Sequence, residues 1–472
     1  MALNNFPAIL NGSCNSLESL STYCNLTNTL LEQELPSFKN LIELTISDTV
    51  FHNNFLQMIG AMTSLQSIQI YDSNLNDTLF DQELPTFKNL TFLRVWNTTF
   101  SNKSLQMLGS MTSLESLSIS NCNLKNTLYN QDLPTVMDFT ALNFTQNIGS
   151  LTSLTYLSLS SCNVTDSVLE EGICNLVNLR ELLMEDNDLG GNISSSPLKM
   201  LTSIQELRLS DNHFQIPISL EPFFNHSQLK IFYGENNEIY GGFESHFLTP
   251  NFQLNSIVLP AYGYSGSFPK FLSDSFPKFL YSQHALQEVD LSNVNLTGKF
   301  PVWLLNNNTK LEKLCLVNNS LSGPLQLPIH PHLSLEELDI SINFLHGHVP
   351  TEIGAYLPML KTLNMSRNAL NGSIPSSFGD MNSLESLDMS NNFLIGGIPH
   401  HLAMGCFSLQ FLVLSNNSLQ GEVPIRLCKL SQLRLIDLSH NKLSGHIPPC
   451  LNITTVIAAS DSLSDFLRVA NK

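Results

Sequence analysis

The sequence predicts an α/β solenoid, a right-handed superhelix of stacked coils whose short strands form a concave parallel β-sheet. One arrangement of residues, seen in FLVLSNNSLQGEVP at 411–424, recurs about every 24 residues along the chain. Within each copy, apolar residues first alternate at strand spacing, and a small polar residue then follows. A fixed period of this length is typical of a solenoid, which grows by adding coils rather than separate cores.

Seventeen copies carry the pattern, and each is numbered here as a coil from its first apolar residue. Most of these residues are 24 or 25 positions apart. Coils 1 to 17 begin at Leu17, Leu41, Leu65, Leu90, Leu114, Leu154, Leu179, Ile204, Leu229, Leu254, Leu286, Leu311, Leu335, Leu360, Leu384, Leu409 and Leu433. The array is therefore predicted to span residues 17–453, with longer coils at 114–153 and 254–285.

Each coil is predicted to open with a strand. Leu412 and Leu414, at offsets 3 and 5 from the start of coil 16, alternate with neighbours that face outward. One coil cannot bury these leucines alone, so adjacent coils must cover them.

The strand is predicted to end in a turn at offset 8, where Asn417 stands in coil 16. Its amide both donates and accepts, so it can satisfy backbone groups of adjacent coils. Where asparagine is replaced, the substitute is often small and able to hydrogen-bond, as in Thr49, Ser73, Thr98, Cys122 and Cys162.

Several copies fit the pattern LxxLxLSxNxLxGxIP, including LKTLNMSRNALNGSIP (360–375), LESLDMSNNFLIGGIP (384–399) and LRLIDLSHNKLSGHIP (433–448). At these residues the chain resembles plant-type extracellular leucine-rich repeats. The segments 212–230 and 444–452 also resemble the ectodomains of plant receptor-like proteins, which are membrane-anchored receptors without a kinase of their own.

The resemblance implies a ligand-recognition ectodomain of a plant cell-surface receptor in defence or developmental signalling. Its concave face is expected to bind an extracellular peptide, protein or glycan, and a separate co-receptor kinase is expected to signal across the plasma membrane. Two alternatives remain open: the ectodomain of a leucine-rich repeat receptor kinase, and a soluble secreted inhibitor of a wall-degrading enzyme.

The acidic net charge and the lack of catalytic motifs argue against nucleic-acid binding and against enzyme activity. The formal charge of −18 argues against nucleic acid or an anionic membrane surface as the partner. The sequence lacks a phosphate-binding loop and kinase, hydrolase or HExxH motifs, so no enzyme activity, cofactor or metal is expected. The histidines 330 and 332, 346 and 348, and 400 and 401 are interpreted as polar loop residues without companion carboxylates.

Candidate ligand-binding residues are those at outward-facing strand offsets that carry aromatic or charged side chains. Such side chains on a rigid sheet make good interface anchors. The candidates are Gln69, Tyr71, Arg94, Trp96, Glu185, Arg208, Tyr233 and Glu235.

Seventeen Asn-x-Ser/Thr sites suggest N-glycosylation in the secretory pathway, although the repeat itself generates some of them. The selected sites are Asn11, Asn76, Asn97, Asn163, Asn192, Asn225, Asn318, Asn364, Asn416 and Asn452.

The sequence has nine cysteines, and no two of them form a CxxC motif. Cys122 and Cys162 are expected to line turns as free thiols, and the state of Cys174, Cys406 and Cys428 stays open. In the family, the cysteine after IPP tends to open a cysteine-containing segment. Cys450 matches it, and its partner is expected beyond the chain.

Irregularities mark the array and its ends. Tyr262 and Val294 stand where asparagine belongs, so the asparagine ladder should be interrupted there. Residues 1–16 are interpreted as the remnant of a preceding coil and 454–472 as an unstructured or truncated tail. Neither end shows a signal peptide or a membrane span, so the chain is expected to be an internal fragment of a longer receptor or a truncated gene copy.

Overall fold

The computed structural model describes residues 17–22, 40–49, 59–60, 62–75, 87–100, 108–122, 124, 148–166, 169, 172–241, 249–261 and 276–453. It divides into two compact units, residues 1–253 (unit 1) and 254–472 (unit 2). Residues 1–16 and 454–472, and most of the outer part of the long coil 114–153, lie outside the described residues.

In unit 1, nine concave strands lie within the described residues, one in each of coils 1 to 9. Neighbouring strands pair in parallel and in register, as Leu207 does with Phe232. The strands are Ser19–Thr22, Glu43–Ser47, Ser67–Tyr71, Phe92–Trp96, Ser116–Ser120, Tyr156–Ser158, Glu181–Leu183, Glu206–Arg208 and Ile231–Tyr233.

In unit 2, eight concave strands lie within the described range, one in each of coils 10 to 17, again paired in parallel. They are Ser256–Val258, Glu288–Asp290, Lys313–Cys315, Glu337–Asp339, Thr362–Asn364, Ser386–Asp388, Phe411–Val413 and Leu435–Asp437. Together with the short helices that follow, these strands confirm the predicted α/β leucine-rich repeat solenoid.

A second set of short strands follows the turn. In unit 1 these are Asn74–Leu75, Thr99–Phe100, Gly190–Asn192, His213–Pro217 and Glu238–Tyr240. In unit 2 they are Thr297–Gly298, Ser320–Gly323, Phe344–His348, Ala369–Ser373, Phe393–Gly396, Ser418–Glu422 and Lys442–Ser444. This second set pairs in parallel between neighbouring coils, as shown by Gly372 and Leu394.

Short helices complete the coils on the side away from the concave strands. The α-helices that lie wholly within the described residues are Val302–Asn307, Ile353–Tyr356 and Leu402–Gly405. The 3₁₀-helices are Ile173–Asn175, Pro197–Met200, Glu221–Phe223, Lys278–Ser282, Ser376–Asp380, Ile425–Lys429 and Pro449–Ile453. A proline often precedes or opens them, because its fixed φ suits the first helical turn.

The apolar positions of each coil form the core. In coil 14, Leu360, Leu363 and Leu370 are fully buried, as the period predicts. Long apolar side chains that alternate with outward-facing residues thus build a continuous stack within each unit.

The asparagine ladder is confirmed. The Nδ2 group of Asn343 donates to the carbonyl of Leu316 in the preceding coil, and to those of Ile340 and Ser341 in its own. Its Oδ1 accepts from the backbone N–H of Leu321 at 3.0 Å. One buried amide therefore satisfies four backbone groups across two coils.

The predicted interruption falls partly outside the described residues, because Tyr262 is not among them. Val294 is buried at the ladder position of coil 11, where its side chain has no group that can hydrogen-bond. In the next coil Asn319 resumes the arrangement and accepts from the N–H of Leu296.

A second ladder, not predicted, runs along the exposed residues at offset 7. The backbone there is left-handed, with φ of +47° at Asn97 and +51° at Asn318. Asparagine and aspartate tolerate this conformation better than other residues with a side chain. The Nδ2 of Asn318 donates to Asn293 at 2.7 Å, and that of Asn97 donates to Asp72 at 2.6 Å.

Cys122 and Cys162 are free, buried thiols that line turns, as expected. The N–H of Thr98 donates to the Cys122 sulfur, and each of the two thiols donates to a carbonyl of its own coil. Cys174 and Cys406 are also free. Burial raises the pKa of Cys406 to about 12.

The expectation that Cys450 pairs beyond the chain is wrong. It forms a disulfide with Cys428, 22 residues earlier, with the two Cα atoms 5.6 Å apart. Both cysteines lie on the short helices that end consecutive coils, at Ile425–Lys429 and Pro449–Ile453. Because the repeat stacks these helices, the separation falls in the range that a disulfide spans.

Candidate ligand-binding surface

Coils 3 and 4 bring the first four candidates together on adjacent strands. Gln69 lies opposite Arg94, and Tyr71 lies opposite Trp96. Neighbouring strands lie about 4.8 Å apart, so the four side chains form one patch. Arg94 is exposed, and Trp96 keeps 41% of its surface exposed, whereas Leu93 and Val95 of the same strand are buried.

Local contacts hold this patch in place. The Tyr71 hydroxyl donates to Oε1 of Gln69 at 2.6 Å, which fixes both side chains. The guanidinium of Arg94 lies 5.6 Å from the ring centroid of Phe92, on the same strand. Such ordering leaves less entropy to lose on binding.

A second group of candidates has Arg208 and Tyr233 on the strands of coils 8 and 9, and Glu185 and Glu235 two residues beyond the strands of coils 7 and 9. Arg208 forms an ion pair through Nε with Glu206, and its guanidinium lies 4.3 Å from the ring centroid of Tyr233 on the next strand. Arg208 and Tyr233 are direct neighbours in the sheet register. The planar guanidinium can thus stack on the ring while it pairs with a carboxylate.

Carboxylates surround this arginine. Burial raises the pKa of Glu185, and Arg208 partly offsets that effect. Although burial lowers the pKa of Arg208, the hydrogen bond that Arg208 donates to Glu206 and the charges of Glu206 and Glu185 raise it overall. Glu235 is half-buried in coil 9. The group therefore carries more negative than positive charge.

Two members of the surface were missed by the sequence reasoning. Phe92 and Glu206 both stand at offset 2, and each positions a predicted arginine. Offset 2 is one of the outward-facing strand positions that the period predicts, so the signal was present. The structure reveals their role, because side chains two residues apart lie on the same face of a strand and can contact each other.

The concave face of unit 2 differs, since every second coil carries a carboxylate at offset 4. This carboxylate row consists of Asp290, Asp339, Asp388 and Asp437. Oδ1 of Asp339 accepts from the N–H of Ser341, and Asp388 makes the same contact with Ser390. Burial raises the pKa of Asp339 to about 6, and it raises that of Asp388. These side chains cap their own strand ends.

The selected glycosylation sites fall into three groups. Asn97, Asn163, Asn192, Asn225, Asn318 and Asn416 are exposed. Asn364 is half-buried on a concave strand, where its Nδ2 donates to Asp339 at 3.0 Å. Asn11, Asn76 and the side chain of Asn452 lie outside the described residues.

The histidines do not gather into a metal site. Within the described part of the chain, no group of three or more His, Cys, Asp or Glu residues is placed to hold a metal ion. His332 lies in a loop but is buried there: its Nδ1 accepts from the N–H of Leu335, and its Nε2 donates to the carbonyl of Asn308. His401 does have a companion carboxylate, Asp380, at 3.0 Å.

No helix among the described residues combines the length and apolar character needed to cross a membrane.

Comparisons with known proteins point to one family. The Leucine rich repeat family model matches residues 334–394, and a second Leucine Rich Repeat model matches 408–430 and 432–452. Cuscuta receptor 1 of Solanum lycopersicum and Receptor-like protein 1 of Arabidopsis thaliana are each 36% identical over 160 residues. Each match covers 34% of this chain and 14% of the relative.

A similar fold occurs in the Arabidopsis receptor kinase HAESA, solved in complex with the peptide hormone IDA and the co-receptor SERK1. The TM-score is 0.55 at 22% identity, over 97% of this chain and 85% of that one. The chain therefore has a leucine-rich repeat fold, and about a third of it is similar in sequence to plant receptor-like proteins.

Proposed function

We propose that the chain is the ligand-recognition ectodomain of a plant cell-surface receptor-like protein in defence or developmental signalling. It binds an extracellular peptide on the concave face of unit 1, and it acts without catalysis. A co-receptor kinase carries the signal inward.

The observation that carries the proposal is the exposed Trp96 beside Arg94 on the concave strands. A large aromatic ring on a rigid parallel sheet offers contact area with little entropy loss, and tryptophan and arginine dominate interface energies. The second group, centred on Arg208, adds fixed polar contacts farther along the same unit. The acidic residues around Arg208 favour a peptide that is neutral or basic there.

The similarity to HAESA supports a peptide as the ligand class, because that ectodomain was solved with a peptide hormone and a co-receptor. A protein or glycan ligand would use the same aromatic and polar groups.

The test uses the full chain fused to a secretion signal. Peptides selected against it from a displayed random library are measured for binding to the parent and to Trp96→Ala and Arg208→Ala. We expect each variant to weaken binding at least about tenfold, as hot-spot residues do. Met200→Ala, an exposed residue on a short helix, is the control and should bind normally. Binding that survives both concave substitutions would place the ligand site elsewhere.

A further inference from the structure

An exposed apolar pair lies on the outer face of the second sheet in unit 2. Phe393 and Ile395 keep 66% and 51% of their surface exposed, whereas Leu394 between them is fully buried. This alternation follows from the strand Phe393–Gly396, whose successive side chains point to opposite faces. Large exposed apolar side chains that lie together usually mark a surface that something covers.

A glycosylation sequence lies on the neighbouring strand. Asn371, Gly372 and Ser373 pair in register with Phe393, Leu394 and Ile395. Asn371 therefore stands directly beside Phe393 on the same outer face, about 4.8 Å away across the sheet. Asn371 and Ser373 are exposed, and with the glycine between them they form an Asn-x-Ser acceptor site.

The other side of Asn371 is already occupied. His348 is its register partner on the preceding strand, and the His348 ring lies against Gly372. A group attached to the Asn371 amide thus has its open apolar surface on the Phe393 side.

We propose that Asn371 carries an N-linked glycan whose first sugars cover Phe393 and Ile395. The Asn371 Nδ2 forms a bond to the anomeric carbon of an oligosaccharide, and the bond from that carbon to a lipid-diphosphate carrier breaks. The carrier leaves with the electron pair, and the amide loses one proton. The C–H faces of the sugar then pack on the phenyl ring while its hydroxyls face water. The proposal rests on the proposed function only in requiring passage through the secretory pathway.

The experiment expresses the full chain, with a secretion signal, in eukaryotic cells. Glycopeptide mass spectrometry on protein recovered from the microsomes measures occupancy of Asn371, so the result does not depend on efficient secretion. We expect the site to be occupied in the parent. Asn371→Gln and Ser373→Ala remove the acceptor in two different ways and should both abolish the modification.

The exposure of Phe393 and Ile395 is then measured by the binding of an apolar fluorescent dye. The stability of the protein is measured by thermal melting. Both variants should bind more dye than the parent, and Tm should fall by about 2 °C. In a Phe393→Ser background, loss of the glycan should no longer increase dye binding. Asn225→Gln, which removes an acceptor site in unit 1, is the control for the loss of a glycan in general.

An unmodified Asn371 in microsomal protein would overturn the proposal. So would an occupied Asn371 whose removal changes dye binding and Tm no more than Asn225→Gln does. Either result leaves peptide binding by the concave face of unit 1 untouched, so it does not count against the proposed function.

Discussion

Coils 2 to 5 of unit 1 and the coils of unit 2 form the turn after the concave strand in two different ways. Concave strands in coils 2 to 5 are five residues long, as in Phe92–Trp96, whereas those of unit 2 are three residues long, as in Glu337–Asp339. The residue at offset 8 differs in the same way: it is threonine, serine or cysteine in the first group and mostly asparagine in the second.

The hydrogen bonds explain the difference. In coil 13, Nδ2 of Asn343 donates to the carbonyls of both Ile340 and Ser341, and these hydrogen bonds turn the backbone away from the strand. In coil 4, the short side chain of Thr98 reaches only the carbonyl of Trp96. The strand therefore stays regular for two more residues, and it carries Trp96 on the concave face. In coils 2 to 5, a turn residue that makes fewer hydrogen bonds thus accompanies a longer strand where the proposed binding surface lies.

The largest effect should come from removing the asparagine amide in unit 2. Asn343→Ala leaves three carbonyls and one N–H of the turn without their partner, and we expect a loss of about 3 to 4 kcal/mol in the free energy of unfolding. Urea unfolding measures it. Asn382→Ala, at an exposed position between coils, should change the value by less than about 0.5 kcal/mol. Equal effects from the two substitutions would contradict the ladder argument.

The disulfide of unit 2 should rank next. Cys428→Ser opens a link across 22 residues and is expected to cost about 3 kcal/mol. Faster hydrogen exchange in residues 433–453 would report the loss locally. Cys174→Ser replaces a free thiol on a comparable short helix and serves as the control. If residues 433–453 exchange at the parent rate in Cys428→Ser, the disulfide does not stabilise the last coil.

The carboxylate row gives unit 2 a pH dependence. The pKa of Asp339 is raised to about 6 from an ordinary value of 3.8, because burial disfavours its charged form. The folded state therefore holds more protons between about pH 4 and 6, and the free energy of unfolding falls as the pH rises through that window. In Asp339→Asn, the free energy of unfolding should fall by about 1 to 2 kcal/mol less across this window than in the parent. Urea unfolding at several pH values measures the difference.

Coil 14 supplies the reverse variant, since it already has asparagine at the same position. Asn364→Asp places a second carboxylate where Nδ2 now donates to Asp339, so the fall in stability with pH should become steeper. A pH profile that neither substitution alters would show that burial does not control this carboxylate.

The smallest effect should come from the short-side-chain turn of unit 1. The Thr98 hydroxyl accepts from the N–H of Ser73 and donates to Trp96, so Thr98→Ala should cost about 1 kcal/mol. Thr99→Ala, at the exposed neighbouring position, is the control for urea unfolding. A loss as large as that of Asn343→Ala would remove the distinction between the two kinds of turn.

The sequence by itself determined the repeat, the fold class and the buried positions, because each depends on a local period that every coil repeats. It also predicted the asparagine ladder, since an amide at a turn inside a stack has backbone groups of two coils within reach. The failures came where a contact joins residues about one coil apart. The partner of Cys450 is such a case, and so is the carboxylate of Asp380 beside His401.

For the candidate site, the outward offsets were readable from the period, but the pairs were not. The stacking of Arg208 on Tyr233 and the place of Asn371 beside Phe393 depend on sheet register. Register depends on how whole coils stack. Stacking in turn depends on many weak contacts between residues about one coil apart in the chain. The sequence thus named the surfaces, and only the tertiary structure decided which side chains meet on them.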